Sequence, residues 1–357
     1  TWGYYLINQG GRINEDNRVV GGQWGYLDST GLPAFGRLFT DAWPFRHGKA
    51  RVKVDNLYGL IDTTGAWVLP PTYQFLSDVR ADSLLRARQD GQFGLITTSG
   101  AVQVPFVYDV LKYDPDDPQA VVVGQGQTPR EGHWRGGRWG LRTLHNEELV
   151  PTRFAEIYAC SGTSLLLVNE GGYHQGDGKV MGGTWGYYRP RQDLAIPTTY
   201  DDANPFFQGT AWVQRKAGEA YGLLDTLGEW VLPPTYENVW PAREGLYKVR
   251  QEKQYGLVNP QGEAVLPVKF DAVGVPSEGV VTVARGVHYN AEDQAQGGRW
   301  GYYTCTGQRL TRLKYDRAFP MRGQRALVIT GHDWAQPGYY QNGRYGYIGP
   351  QGQEVIP

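Results

Sequence analysis

Apolar and polar residues alternate in short runs along the whole chain, as in Ala50-Arg51-Val52-Lys53-Val54 and Leu246-Tyr247-Lys248-Val249-Arg250. Period-two alternation predicts a strand with one buried face. Beyond each run stands an aromatic residue followed by glycine, at Trp24-Gly25, Tyr58-Gly59, Phe93-Gly94, Trp139-Gly140, Trp185-Gly186, Tyr221-Gly222, Tyr255-Gly256, Trp300-Gly301 and Tyr345-Gly346. These nine pairs mark nine repeats, and each opens a second strand in which glycine lets backbone approach closely or bulge. A turn follows, such as Asp62-Thr63-Thr64-Gly65 or Asn259-Pro260-Gln261-Gly262. Asp or Asn at its start and a left-handed Gly at its end predict a tight hairpin into a third strand. That strand, Trp67-Val68-Leu69 or Trp230-Val231-Leu232, is expected to stop at Pro70-Pro71 or Pro233-Pro234, because proline cannot donate to a ladder.

A return segment then leads to the next repeat, as in Tyr200-Asp201-Asp202-Ala203-Asn204-Pro205-Phe206. Its aromatics are expected to anchor between repeats, and in a propeller the segment would act as a fourth strand. Asp41, Asp201, Asp271 and Asp316 within these segments read as acceptors for local backbone amides rather than as reacting groups.

The spacing between successive pairs runs 34, 35, 46, 46, 36, 34, 45 and 45. Tyr58 to Tyr73 and Tyr221 to Tyr236 agree at thirteen of sixteen positions. Repeats one to four (1–161) therefore read as duplicated in repeats five to eight (162–323), with a ninth at 324–357, in one continuous array over 1–357. The extra residues always fall between the first and second strands, in repeats 1, 4, 5, 8 and 9. Insertions at one position of a stacked array emerge together, so these five long loops are the candidate binding surface. They hold four of the six histidines, each beside an aromatic. The candidate binding residues are Arg12, His133, Trp134, Tyr173, His174, His288, Tyr289, His332, Trp334 and Tyr339, side chains suited to a protein or a glycan partner.

Composition narrows the picture. Twelve Trp, 24 Tyr, 49 Gly and 22 Pro in 357 residues describe short strands and turns rather than helices. A net charge of -1 argues against a dedicated nucleic-acid binder. Cys160 and Cys305 fall at different places in their repeats and form no disulfide framework. No apolar run approaches the roughly 20 residues of a membrane span. No signal peptide opens the chain, which decides nothing about export when the first residue is Thr1.

The pattern resembles the bacterial WG repeat family, also called KWG repeats, whose consensus joins Trp-Gly-Tyr-Ile-Asp, a Thr-Gly turn, Val-Ile-Pro-Pro-x-Tyr-Asp and Pro-Phe-x-x-Gly-x-Ala-x-Val. Trp24-Gly25-Tyr26-Leu27-Asp28 and Ala203-Asn204-Pro205-Phe206-Phe207-Gln208-Gly209-Thr210-Ala211-Trp212-Val213 carry the resemblance most closely. Five repeats depart from it with Tyr or Phe in place of Trp. The resemblance implies a noncatalytic module, often exported to the periplasm or cell surface or attached to other domains.

Catalytic motifs are missing from the sequence. There is no Gly-x-Ser-x-Gly elbow, phosphate-cradling loop or His-Glu-x-x-His. Gly21-Gly22, Gly136-Gly137, Gly182-Gly183 and Gly297-Gly298 read as loop closures. No cofactor and no metal is expected. A glycan-active site from Asp177, Glu292 or Asp293 is the minor enzymatic alternative. The expectation is an all-β tandem array of nine three-stranded antiparallel repeats, with an open superhelix or solenoid favoured and a β-propeller as the alternative. In function it reads as a scaffold presenting its long loops to a partner. The alternative is a structural component of a cell-surface or multiprotein assembly, self-associating through its terminal repeats.

Overall fold

The computed structural model describes residues 3–114, 117–126, 128–130, 133–175, 179–289, 295–331 and 343–356. These residues are all-β and contain no helix. Repeat two shows the plan. Its strands Lys49–Val54, Leu57–Asp62 and Trp67–Tyr73 pair antiparallel in chain order. Ala50 and Val52 on the first strand are buried, as are Leu60 and Ile61 on the second. The tight hairpin forms as expected. Asp62 Oδ1 accepts from the Thr64 amide at 2.8 Å, the Thr64 hydroxyl at 2.6 Å and the Ala66 amide at 3.1 Å, and Gly65 closes the turn at φ 79°. Asp28, Asp225 and Asn259 take the same role in their own turns.

The third strand differs from expectation. It runs on through Pro70 and Pro71 to Tyr73, with a register shift against the second strand between Tyr58 and Leu60. Pro70 and Pro71 fall inside that irregularity, between the paired residues Leu69 and Tyr73, so their missing amides leave no ladder bond unmade. The glycine of the aromatic-Gly pair accommodates the irregularity. A Cβ on Gly59 would stand 2.8 Å from the Leu69 carbonyl and 3.0 Å from Pro71 N. Gly94, Gly140, Gly186 and Gly256 meet the backbone of their own third strands in the same way, and Gly301 meets the Arg312 carbonyl.

The return segment supplies a fourth strand. Asp41–Ala42 pairs with Lys49–Val54 through Asp41↔Lys53 and Ala42↔Val52, so each of these sheets begins with residues that close the preceding repeat. Among the described residues seven sheets have this four-stranded form. The expected three-stranded hairpin pair lies inside each of them. Return-segment side chains hold the amides where strand one turns into strand two. Thr40 accepts from Asp55 at 2.9 Å, Gln74 from Gly91 at 2.7 Å, and Asp201 from Ala217 at 2.8 Å. The carboxylates expected to serve backbone amides do so at Asp41, Asp201 and Asp271, whereas Asp316 pairs with Arg299.

The chain divides into two compact bodies. The first comprises Thr1–Ile157, Asn169–Gly183 and Pro190–Asp193, and the second Tyr158–Val168, Thr184–Arg189 and Leu194–Pro357. Within the first, core clusters form between consecutive sheets. Tyr26 and Phe39 of repeat one pack with Ala50, Val52 and Ile61 of repeat two, and Leu60 and Leu69 pack with Leu85, Ala87 and Ile96 of repeat three. Within the second, Trp212 and Leu223 of repeat six pack with Tyr247, Val249 and Val258 of repeat seven. Each fully buried side chain of this size contributes about 1.5–3 kcal/mol, and a single repeat has no second layer of its own to bury it.

Candidate functional site

The long loops fold as small hairpins that prolong strands one and two. Arg12–Ile13 pairs with Val19–Val20, Thr128–Arg130 with His133–Arg135, and Tyr173–His174 with Val180–Met181. In repeat eight the two strands run on continuously as Val280–Tyr289 and Ala295–Thr304. Each hairpin has a neck of facing glycines. A Cβ on Gly126 would lie 3.4 Å from Gly137 Cα, and those on Gly171 and Gly286 would lie 3.6 Å from the Cα atoms of Gly183 and Gly298. All six of these glycines have positive φ. Side chains at these points would touch across the neck and strain the left-handed backbone. The paired glycines are therefore loop closures, as the sequence suggests.

Polar side chains hold the necks by two devices. In repeats one and five an asparagine clamps both limbs. Asn8 accepts from the Gly11 amide at 2.9 Å and donates to the Gly21 carbonyl at 3.1 Å. Asn169, wholly buried, accepts from Gly172 at 3.1 Å and donates to Gly182 at 3.3 Å. In repeats four and eight a return-segment carboxylate does the work, with Asp109 accepting from Gly126 and Asp271 from Gly286, both at 2.5 Å. The Arg138 guanidinium adds a bond to the Gly172 carbonyl at 2.8 Å, linking the fourth repeat to the neck of the fifth. These hairpins are footed on fixed hydrogen bonds.

The candidate residues are placed as follows. Arg12 is exposed, opposite Val20. Tyr173 is 64 % exposed. The neighbouring His174 turns inward, with Nε2 2.9 Å from the Ala155 carbonyl and 3.6 Å from the Glu156 carboxylate. Burial raises the Glu156 pKa above the ordinary carboxylate value, while the nearby His174 opposes that shift. His174 thus braces the hairpin against the body beneath it. His288 is exposed on its extended strand. His133, Trp134 and Tyr289 are placed by their backbone pairing alone, within the strands given above. His332, Trp334 and Tyr339 lie outside the described residues, as do Asp177, Glu292 and Asp293.

Beside Tyr173 the loops display three apolar residues outside the candidate set, Ile13, Val19 and Met181. Ile13 is 69 % exposed and pairs with exposed Val19, while Tyr173 pairs with exposed Met181. Their sequence signal is an apolar residue inside an otherwise polar loop.

The WG containing repeat model matches residues 24–58, 58–92, 185–217, 221–255 and 255–285. No curated protein sequence matches the chain. Among solved structures, a eukaryotic initiation factor is similar at 11 % identity and TM-score 0.36, covering 93 % of this chain and 92 % of that one. Kluyveromyces lactis Hsv2p is similar at 8 % identity and TM-score 0.25, covering 74 % and 96 %. PorZ, described as a surface component of the type-IX secretion system of Porphyromonas gingivalis, is similar at 9 % identity and TM-score 0.25, covering 95 % and 50 %. Each matched stretch opens on one of the aromatic-Gly pairs described above, and in these five repeats the chain is a WG-repeat protein.

Proposed function

We propose that this protein is a noncatalytic repeat scaffold that binds a protein partner through the long loops of repeats 1, 4, 5, 8 and 9. The observation that carries this reading is the exposed cross-strand pairs Ile13–Val19 and Tyr173–Met181, held out on hairpins whose necks are clamped. Exposing apolar side chains on a braced element is costly unless a partner covers them. Pre-set hairpins also lose little conformational entropy on docking. Three of the four displayed side chains, Ile13, Val19 and Met181, offer no flat ring for a sugar, which favours a protein over a glycan. The test captures partners from the host's extract on the parent chain and on a variant with Ile13, Val19, Tyr173 and Met181 all changed to Ser, both shown folded by circular dichroism. The partner identified is then purified and titrated against each. A loss of about tenfold or more supports the loop surface, and equal affinity removes it.

A second reading, of a structural component that self-associates, is supported by the ninth repeat, where Tyr345, Tyr347, Val355 and Ile356 are exposed together on adjoining strands. Light scattering across a hundredfold concentration range tests it, and a constant monomer mass rules against it.

A further inference from the structure

The repeats carry a cation cluster whose completeness differs between copies. In repeat two, the Arg51 guanidinium lies 3.9 Å from the centre of the Trp43 ring and donates to the Leu76 carbonyl at 2.6 Å. It pairs with Asp78 at 3.3 Å, and Arg46 approaches the same carboxylate at 3.9 Å. One carboxylate thus serves two cations beside a tryptophan.

Repeat seven rebuilds this arrangement position for position, with Lys248 in place of Arg51 and Val273 in place of Leu76. Trp240 stands opposite Lys248, and the Lys248 ammonium lies 5.7 Å from that ring and 4.6 Å from Tyr255. It points at the Val273 carbonyl at 3.5 Å, and the separation of 25 positions equals that of Arg51 and Leu76. Arg243 occupies the place of Arg46, before the same turn, since His47-Gly48 and Glu244-Gly245 all have positive φ. Only the carboxylate is lost, because Val275 stands where Asp78 stands. The Lys248 and Arg243 side chains have no carboxylate partner among the described residues. A cavity of about 510 Å³ opens there, lined by Trp240, Arg243, Lys248, Val273 and Val275, with no acidic residue in its wall. Trp240 and Val275 are 39 % and 55 % exposed at its mouth. Burial holds Lys248 below the usual lysine range, a cost that a bound carboxylate reverses.

We propose that this cavity binds a carboxylate-bearing sugar of the uronic acid class, its carboxylate filling the place that Asp78 fills in repeat two and its ring lying along Trp240. The charge argument requires an anion, since two cations converge without a counter-charge. The volume requires more than an inorganic ion, because it falls in the range of small-molecule sites, about 300–1,000 Å³. The electron-rich face of Trp240 suits the polarised C–H groups of a sugar ring. The site belongs to the second compact body and stands independently of the hairpin surface.

Calorimetric titration of the whole chain with glucuronate, glucose and benzoate tests the proposal. Glucuronate is expected to bind, with glucose and benzoate each weaker by about tenfold or more because each lacks one half of the recognition. Lys248→Gln is expected to weaken glucuronate by about tenfold. Val275→Asp supplies the internal carboxylate and is expected to abolish binding, and the exposure of Val275 lets that variant fold. The idea is overturned by no glucuronate binding up to about 10 mM, by glucose or benzoate binding as tightly as glucuronate, or by Val275→Asp binding like the parent. A hairpin variant that loses its protein partner while still binding glucuronate separates this site from the loop surface.

Discussion

Asn8 and Asn169 make the same pair of bonds in duplicated positions of one compact body and differ chiefly in burial, so they isolate the effect of water on a polar clamp. Replacing either by Ala removes one bond from a glycine amide and one to a glycine carbonyl, each worth about 1 kcal/mol net. At Asn8 the neck is exposed and water takes the vacated positions, so the cost is expected to be about 1 kcal/mol in all. At Asn169 the side chain is fully buried and the Gly172 amide loses its partner away from solvent, adding about 1–3 kcal/mol for the stranded group. The expected cost is then about 3 kcal/mol. Since both sites lie in the first body, equilibrium urea unfolding reads them on one transition. With a slope of about 2 kcal/mol per molar, the Asn169→Ala midpoint should fall about 1 M below that of Asn8→Ala. Hydrogen exchange at the Gly172 amide should quicken in the Asn169 variant. Equal midpoint shifts, or unchanged exchange at Gly172, refute the reasoning.

Three further outcomes follow from the same geometry. Gly222→Ala drives a methyl into the Trp230 ring and to 2.9 Å from Pro234 N, at an expected cost of about 2–3 kcal/mol. Gly218→Ala, left-handed but in open space, should cost only about 1 kcal/mol in the same urea assay. Hydrogen bonds from Thr64 and Ala66 lower the Asp62 pKa, so its contribution is present above the unfolded carboxylate pKa and is lost as pH falls through the folded one. The midpoint gap between parent and Asp62→Ala should therefore persist at pH 7 and close in the acid range, and a gap independent of pH counts against the turn bonds as its source. Burial raises the Cys160 thiol and pushes Cys305 up to about 11, with Glu244 contributing. Only about one Cys305 in a thousand is thiolate at pH 8, so both cysteines should react with a disulfide reagent within seconds only after denaturation.

Much of the fold could be read from residue order, because the forces that set it are local. Asp62 and Gly65 name their turn, and Ala50, Val52 and Leu60 name the buried face. The third strand passes Pro70-Pro71 because both fall in the bulge between Leu69 and Tyr73, where the ladder demands no donor, and a bulge has no signature in residue order alone. The fourth strand was visible as a motif but not as a pairing, since only Asp41 and Ala42 enter the ladder. His174 turns inward and not to solvent, because its direction depends on the Ala155 carbonyl, a group with no sequence signature.

A repeat protein also carries information that a single domain lacks, because its copies share a backbone and each serves as a control for the others. Residues common to the copies, such as the glycine of each aromatic-Gly pair, answer to backbone geometry and say little about a partner. What distinguishes the copies is free of that demand. Asn8 and Asn169 against Asp109 and Asp271 is one such contrast, two chemistries reaching the same glycine necks. Asp78 against Val275 is the other, and there the backbone, tryptophan and both cations are retained while the neutralising group is dropped. Relaxed packing would predict loss of the cations along with the acid, since a half-buried lysine without a counter-charge costs stability. Retaining both beside an open cavity is the arrangement expected if the missing carboxylate arrives from outside the chain.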